Sequence, residues 1–85
     1  IYPNPFNPRT IIKFDLGKPG TVNLAVYDIA GRQVTTLVDE FRPGGSYEAA
    51  WHGHDQRGQR SAAGVYFIRL KTPERIDTQR ITLVK

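Results

Sequence analysis

Apolar residues in this 85-residue chain recur at every second position, and no stretch of ten or more residues carries a 3.6-residue period. Side chains on an extended strand alternate between its two faces, so a period of two predicts half-buried strands and argues against helices. In Thr10–Leu16, Ile12, Phe14 and Leu16 share one face while Lys13 and Asp15 take the other. Val22, Leu24 and Val26 repeat the pattern in Thr21–Ile29, and a tight connection at Ala30-Gly31 leads into Arg32–Val38. Further strands are predicted over Tyr47–Trp51, Val65–Leu70 and Asp77–Lys85, the last with Ile81 and Leu83 on one face. Gly17-Lys18-Pro19-Gly20, the 39–46 loop with its Pro43-Gly44-Gly45, and Thr72-Pro73-Glu74-Arg75 supply turns between them. The expectation is an all-β fold, a two-sheet antiparallel β-sandwich of about seven short strands.

The stretch from Tyr47 to Leu70 anchors that expectation. Tyr47, Ala49 and Trp51 are spaced by two, and Trp51 is the only tryptophan. A polar loop punctuated by Gly53, Gly58 and Gly64 separates this strand from Val65–Leu70. We expect the two strands to form a core hairpin, with Trp51 and Phe67 in one core. Truncating a buried tryptophan costs about 3–5 kcal/mol, a large part of a total stability of about 5–15 kcal/mol.

Size limits what such a chain can do. It buries only about 60–65% of its unfolded surface and has little room for an internal pocket. Without cysteine it has neither disulfides nor a thiolate zinc site. Without methionine, even at position 1, it reads as a module excised from a longer polypeptide. No apolar run approaches the roughly 20 residues of a helical membrane span, and no signal-peptide pattern is visible. The net charge of +4 is unevenly spread. Residues 1–56 sum to −1, and residues 57–85 to +5, with seven bases against Glu74 and Asp77. A basic C-terminal third suits a polyanion or an acidic receptor, although solvated strand faces explain the same charges more simply.

Residues 1–8 hold three of the six prolines. Proline fixes φ and extends its predecessor, so this segment reads as an extended linker or docking arm, with Tyr2 and Phe6 favouring docking.

Catalytic constellations are not found in the sequence. Ser46 and Ser61 lack a strained glycine-flanked elbow, and both histidines lie in one loop. Gly53 and Gly58 are not followed by the lysine or helix of a phosphate loop. Paired carboxylates for glycoside cleavage need a cleft that so small a domain does not offer. The expectation is a non-enzyme without a cofactor. His52 and His54 sit two apart beside Asp55, a spacing with which two imidazoles and a carboxylate hold a metal. A calcium site on Asp55 and loop carbonyls is a further alternative. The plainer role has the Asp55 side chain accepting from amides downstream, as an Asx turn before Gly58. Alternation sends Tyr47 and Trp51 inward, against a flat sugar platform. Arg69 and Lys71 around Leu70 are too few for nucleic-acid binding.

Three motifs in order carry a resemblance. They are Tyr2-Pro3-Asn4-Pro5-Phe6-Asn7-Pro8, then Tyr27–Val34 with Asp28 and Gly31 as an Asp-x-x-Gly turn, then Gly45–Gly58 with Ala63–Leu70. The third includes Trp51, Gly53, Asp55, Gly58, Gly64 and Tyr66. The chain resembles the C-terminal sorting domain of the type IX secretion system and the related immunoglobulin-like domain of flagellar hook-capping proteins. The likeness spans essentially the whole chain. It departs at His52, where the family usually has Asp or Asn.

The resemblance implies an immunoglobulin-like sandwich, with residues 1–85 a single C-terminal sorting and cell-attachment domain. Such domains end exported enzymes, adhesins and proteases of Bacteroidota-type Gram-negative bacteria. They are read by the outer-membrane translocon and often removed as cargo is joined to anionic surface lipopolysaccharide. Arg80–Lys85 looks like the family's closing strand, so Arg80, Ile81, Leu83 and Lys85 are the residues expected to meet the receptor. The resemblance further implies an exported monomeric domain at the cell surface, spanning no membrane and binding no nucleic acid. The alternative is a non-catalytic binding or spacer module, carbohydrate-binding for example, on a secreted multidomain enzyme such as a glycoside hydrolase.

Overall fold

A computed structural model describes residues 10–84. The Pro3-Asn4-Pro5 motif, the 1–8 arm and Lys85 therefore lie outside the described residues. The described residues form six antiparallel strands and no helix: β1 (Thr10–Leu16), β2 (Gly20–Asp28), β3 (Gln33–Arg42), β4 (Gly45–Trp51), β5 (Gly64–Lys71) and β6 (Ile76–Leu83). β1 and β4 make a two-stranded sheet, and the order β3-β2-β5-β6 makes a four-stranded one. The architecture is an immunoglobulin-like sandwich, with six described strands where about seven were expected.

Alternation decides which residues fill the space between the sheets. Phe14, Leu16 and Trp51 come from the small sheet; Val22, Leu24, Val26, Val38, Tyr66, Ile68, Leu70 and Leu83 come from the large one. Phe14 and Tyr47 are direct cross-strand partners whose rings stack at 5.5 Å. Trp51 meets Tyr66 edge-on at 5.0 Å across the two sheets, an arrangement aromatic pairs favour.

Two expectations are corrected. Tyr47–Leu70 is not a hairpin, because β4 pairs with β1 while β5 pairs with β2 and β6. The loop between them changes sheets, and Trp51 and Tyr66 face each other through the core instead of lying side by side. Nor is Phe67 in the core with Trp51. The buried face of β5 is Tyr66, Ile68 and Leu70, and Phe67 falls on the opposite face by the same period of two.

The 39–46 segment is also more ordered than a loop. β3 continues to Arg42 because Asn23, Val22, Thr21 and Gly20 of β2 pair with Asp39, Glu40, Phe41 and Arg42. Strand pairing overrides the weak local signal of Asp39-Glu40.

Candidate recognition surface

Three features of the sandwich carry the polar residues singled out in the sequence: two turns and an edge strand. The first is the turn joining β2 to β3. Asp28 Oδ1 accepts from the Ala30 and Arg32 amides, each at 2.9 Å, and Oδ2 meets Arg32 Nε at 3.1 Å. The Arg32 amide above all, then the Arg32 charge and the Ala30 amide, hold the Asp28 carboxyl below the ordinary carboxylate range, against an opposing desolvation effect. Gly31 has a φ of 85° and donates its amide to the Asp28 carbonyl, so the turn asks for a residue free to enter the left-handed region.

The second feature is the crossing loop between β4 and β5. Asp55 Oδ1 accepts from the amides of Arg57 and Gln59, both at 2.9 Å. The Asp55 carbonyl takes the Gly58 amide at 2.9 Å, and the Asp55 amide donates to Gln59 O at 2.8 Å. One residue thus closes the turn from side chain and backbone together. Trp51 Nε1 donates to the His54 carbonyl at 3.0 Å, and Tyr66 OH to the Ala62 carbonyl at 2.6 Å. Each core aromatic therefore ties one end of the loop down through its polar tip. The side chains of His52 and His54 are exposed, and among the described residues no group of three or more His, Cys, Asp or Glu is placed to hold a metal ion. Gly64 opens β5 opposite Leu83 of β6.

The third feature is β6, which among the described residues is an edge strand paired with β5 alone. Its first residues are exposed on both faces, Ile81 is half-buried and Leu83 is 3% exposed. Arg80, opposite Phe67, is exposed. Of the residues expected to meet a receptor, Arg80 is displayed, Ile81 is partly covered and Leu83 is rooted in the core. Beside this edge a groove of about 500 Å³ opens between β1 and β6, floored by Phe14, Leu24, Ile68 and Leu70. The small sheet is too narrow to cover it.

Residue reasoning missed the pair at the centre of the large sheet's outer face. Arg69 lies with its guanidinium carbon 4.7 Å from the Tyr27 ring centroid and donates from Nη2 to Tyr27 OH at 2.7 Å. Arg69 and Tyr27 occupy outward positions of their alternations, which the sequence displays. That β2 and β5 are neighbours in register is what the sequence does not display.

The model of the FlgD Ig-like domain matches residues 9–74. The chain belongs to the FlgD Ig-like domain family. Neither the curated proteins nor the solved structures yield a match. The FlgD Ig-like family is one of non-catalytic structural modules. The matched residues cover β1 through β5, whereas β6 lies beyond them.

Proposed function

We propose that this domain is a C-terminal sorting and cell-surface attachment module of a larger exported protein, read by an outer-membrane type IX translocon. Residues 1–85 act in this reading as one unit that carries an address and performs no chemistry. The observation that supports it best is the character of β6. Among the described residues it lies at a sheet edge, with β5 as its one neighbour, and a receptor strand can extend such an edge by addition. Leu83 roots the strand while Arg80, on the same strand, is exposed. The order of the Pro3-Asn4-Pro5, Asp28–Gly31 and Trp51–Gly58 motifs supports the same reading.

The second reading is a binding or spacer module of a secreted enzyme. What favours it is that the family match ends at residue 74, before the strand on which sorting depends. The two separate when residues 1–85 are fused to the C-terminus of a periplasm-directed reporter in a type IX-competent host. Sorting predicts surface display that is lost when the translocon is deleted. A spacer leaves the reporter in the periplasm in both hosts, and that result would refute the sorting role.

A further inference from the structure

The outer face of the four-stranded sheet is built unlike the rest of the surface. Register places Asn23 beside Lys71, Ala25 beside Arg69 and Tyr27 beside Phe67, and on the far side of β5 it places Thr78 beside Arg69 and Arg80 beside Phe67. Ala25 is fully buried yet stands outside the core cluster, so the side chains of this outer face close over it. Arg69 is held there by stacking on Tyr27 and by its bond to the phenol. Its Nε is buried and has no partner among the described residues. A charged donor left unsatisfied is costly, so an arginine in this setting calls for an explanation beyond packing.

Two depressions flank the Arg69–Tyr27 pair. The larger, about 500 Å³, is lined by Thr21, Asn23, Gln33, Lys71 and Pro73 among others, with no acid. The smaller, about 300 Å³, includes Ile29, Phe67 and Thr78. Its bordering Asp28 is already engaged by Arg32. On the strand positions of this face Arg69, Lys71 and Arg80 stand against Asp39, which lies opposite Asn23. The outer face of the small sheet has the opposite bias, with Lys13 against Asp15 and Glu48.

Exposed apolar residues stand at three points on the border of this face. Phe41, opposite Thr21, is 66% exposed; Ile76, opposite Lys71, is 58% exposed; Ile29, beside the smaller depression, is 78% exposed. Aromatic residues and arginine within an apolar border are the composition of protein-binding surfaces.

We infer that this face docks a protein segment that is acidic and carries apolar side chains, with Arg69 on Tyr27 as its central contact. Carboxylates meet the guanidinium and Lys71, and apolar side chains cover Phe41, Ile29 and Ile76. The guanidinium is pre-organised by Tyr27, so little side-chain entropy is lost when a carboxylate pairs with it. A sugar chain bearing carboxylates would use the cations and stack on Phe41 but has no use for the exposed aliphatic Ile29 and Ile76. This surface shares Arg80 and Ile76 with β6 but not the outer backbone edge of that strand, and its test, read on Arg69, Lys71 and Phe41, does not depend on sorting.

The test titrates the isotope-labelled chain with a synthetic peptide in which four aspartates flank two leucines. Its asparagine counterpart and an oligogalacturonate serve as the other ligands. Amide shifts are expected to saturate at residues 23–27 and 67–71. Arg69→Gln should weaken the acidic peptide about tenfold or more, and the exposed Lys71→Gln about two- to fivefold. Phe41→Ser should weaken it while leaving the salt dependence in place. The asparagine peptide should bind far more weakly. Shifts centred elsewhere, no saturable binding, tighter binding of the oligogalacturonate, or affinity unchanged in both Lys71→Gln and Phe41→Ser would overturn the inference. Because Lys71 and Phe41 are exposed, their variants decide the matter even if Arg69→Gln fails to fold.

Discussion

Leu83 rests against Gly53, so closely that a Cβ built at position 53 would stand 3.2 Å from Leu83 Cδ1. The contact joins the crossing loop to the end of β6, and Gly53 has a φ of 81°, where an L side chain is strained. Gly53→Ala should therefore cost about 1–3 kcal/mol and lower the urea midpoint, with Leu83 as the side chain that must yield. An unchanged midpoint would show that the loop adapts without strain. Leu83→Ala should be destabilising by about 2–5 kcal/mol.

Trp51→Ala should leave an unfolded or molten chain. The indole is 1% exposed, packs edge-on against Tyr66 and holds the loop through the His54 carbonyl. Its loss of about 3–5 kcal/mol consumes much of the stability of a small domain. Tyr66→Phe removes only the hydroxyl bond to Ala62 and should cost about 0.5–1.5 kcal/mol. Denaturant unfolding of both variants checks the ranking, and equal losses would contradict it.

Asp28 should make the domain sensitive to acid. Its folded-state proton affinity is depressed, chiefly by the Arg32 amide. By linkage, a depressed carboxylate stabilises above its unfolded value of about 3.9, and that stabilisation is lost as pH falls through the lower folded value. Asp28→Asn should be less stable than wild type at pH 7, with the gap narrowing in acid. A gap that stays constant or widens as pH falls would contradict this assignment.

The crossing loop should be held by Asp55 and not by a metal. Asp55→Ala removes one acceptor serving two amides and should cost about 1.5–3 kcal/mol. Excess zinc, nickel or calcium should leave the wild-type melting curve in place. A metal present at a hundredfold its dissociation constant would stabilise by about 2.7 kcal/mol, and a rise of that size would assign the exposed histidines a ligand role.

Much of this fold is visible in its residues, for reasons that are local. Thr10–Leu16 is bounded in the sequence as in the structure, because its alternation is clean and Gly17-Lys18-Pro19 ends it. The all-β class and the inward Val22, Leu24 and Val26 arise from the same period. What local pattern cannot convey is partnership. Trp51 and Val65 are joined by a loop that fits either a long hairpin or a crossing between sheets, and pairing with β1 decides for the second. Tyr66 and Phe67 are adjacent aromatics, and the period that turns Ile68 and Leu70 inward and Arg69 outward already assigns the buried place to Tyr66. The Arg69–Tyr27 contact spans 42 residues and is invisible until β2 and β5 are adjacent.

The central claim, that the domain is an address read at β6, is tested most directly by reversing charge without disturbing the strand's anchors. Removing residues 80–85 is ambiguous, because it also deletes Leu83 from the core. Arg80→Glu combined with Lys85→Glu leaves Ile81 and Leu83 in place. The measurement is the fraction of reporter displayed at the cell surface by this double variant, alongside its melting temperature in isolation. Charge recognition predicts normal folding with cargo retained in the periplasm, an effect on encounter that weakens as salt rises. A double variant that folds normally and displays its cargo at wild-type levels would contradict charge recognition at β6.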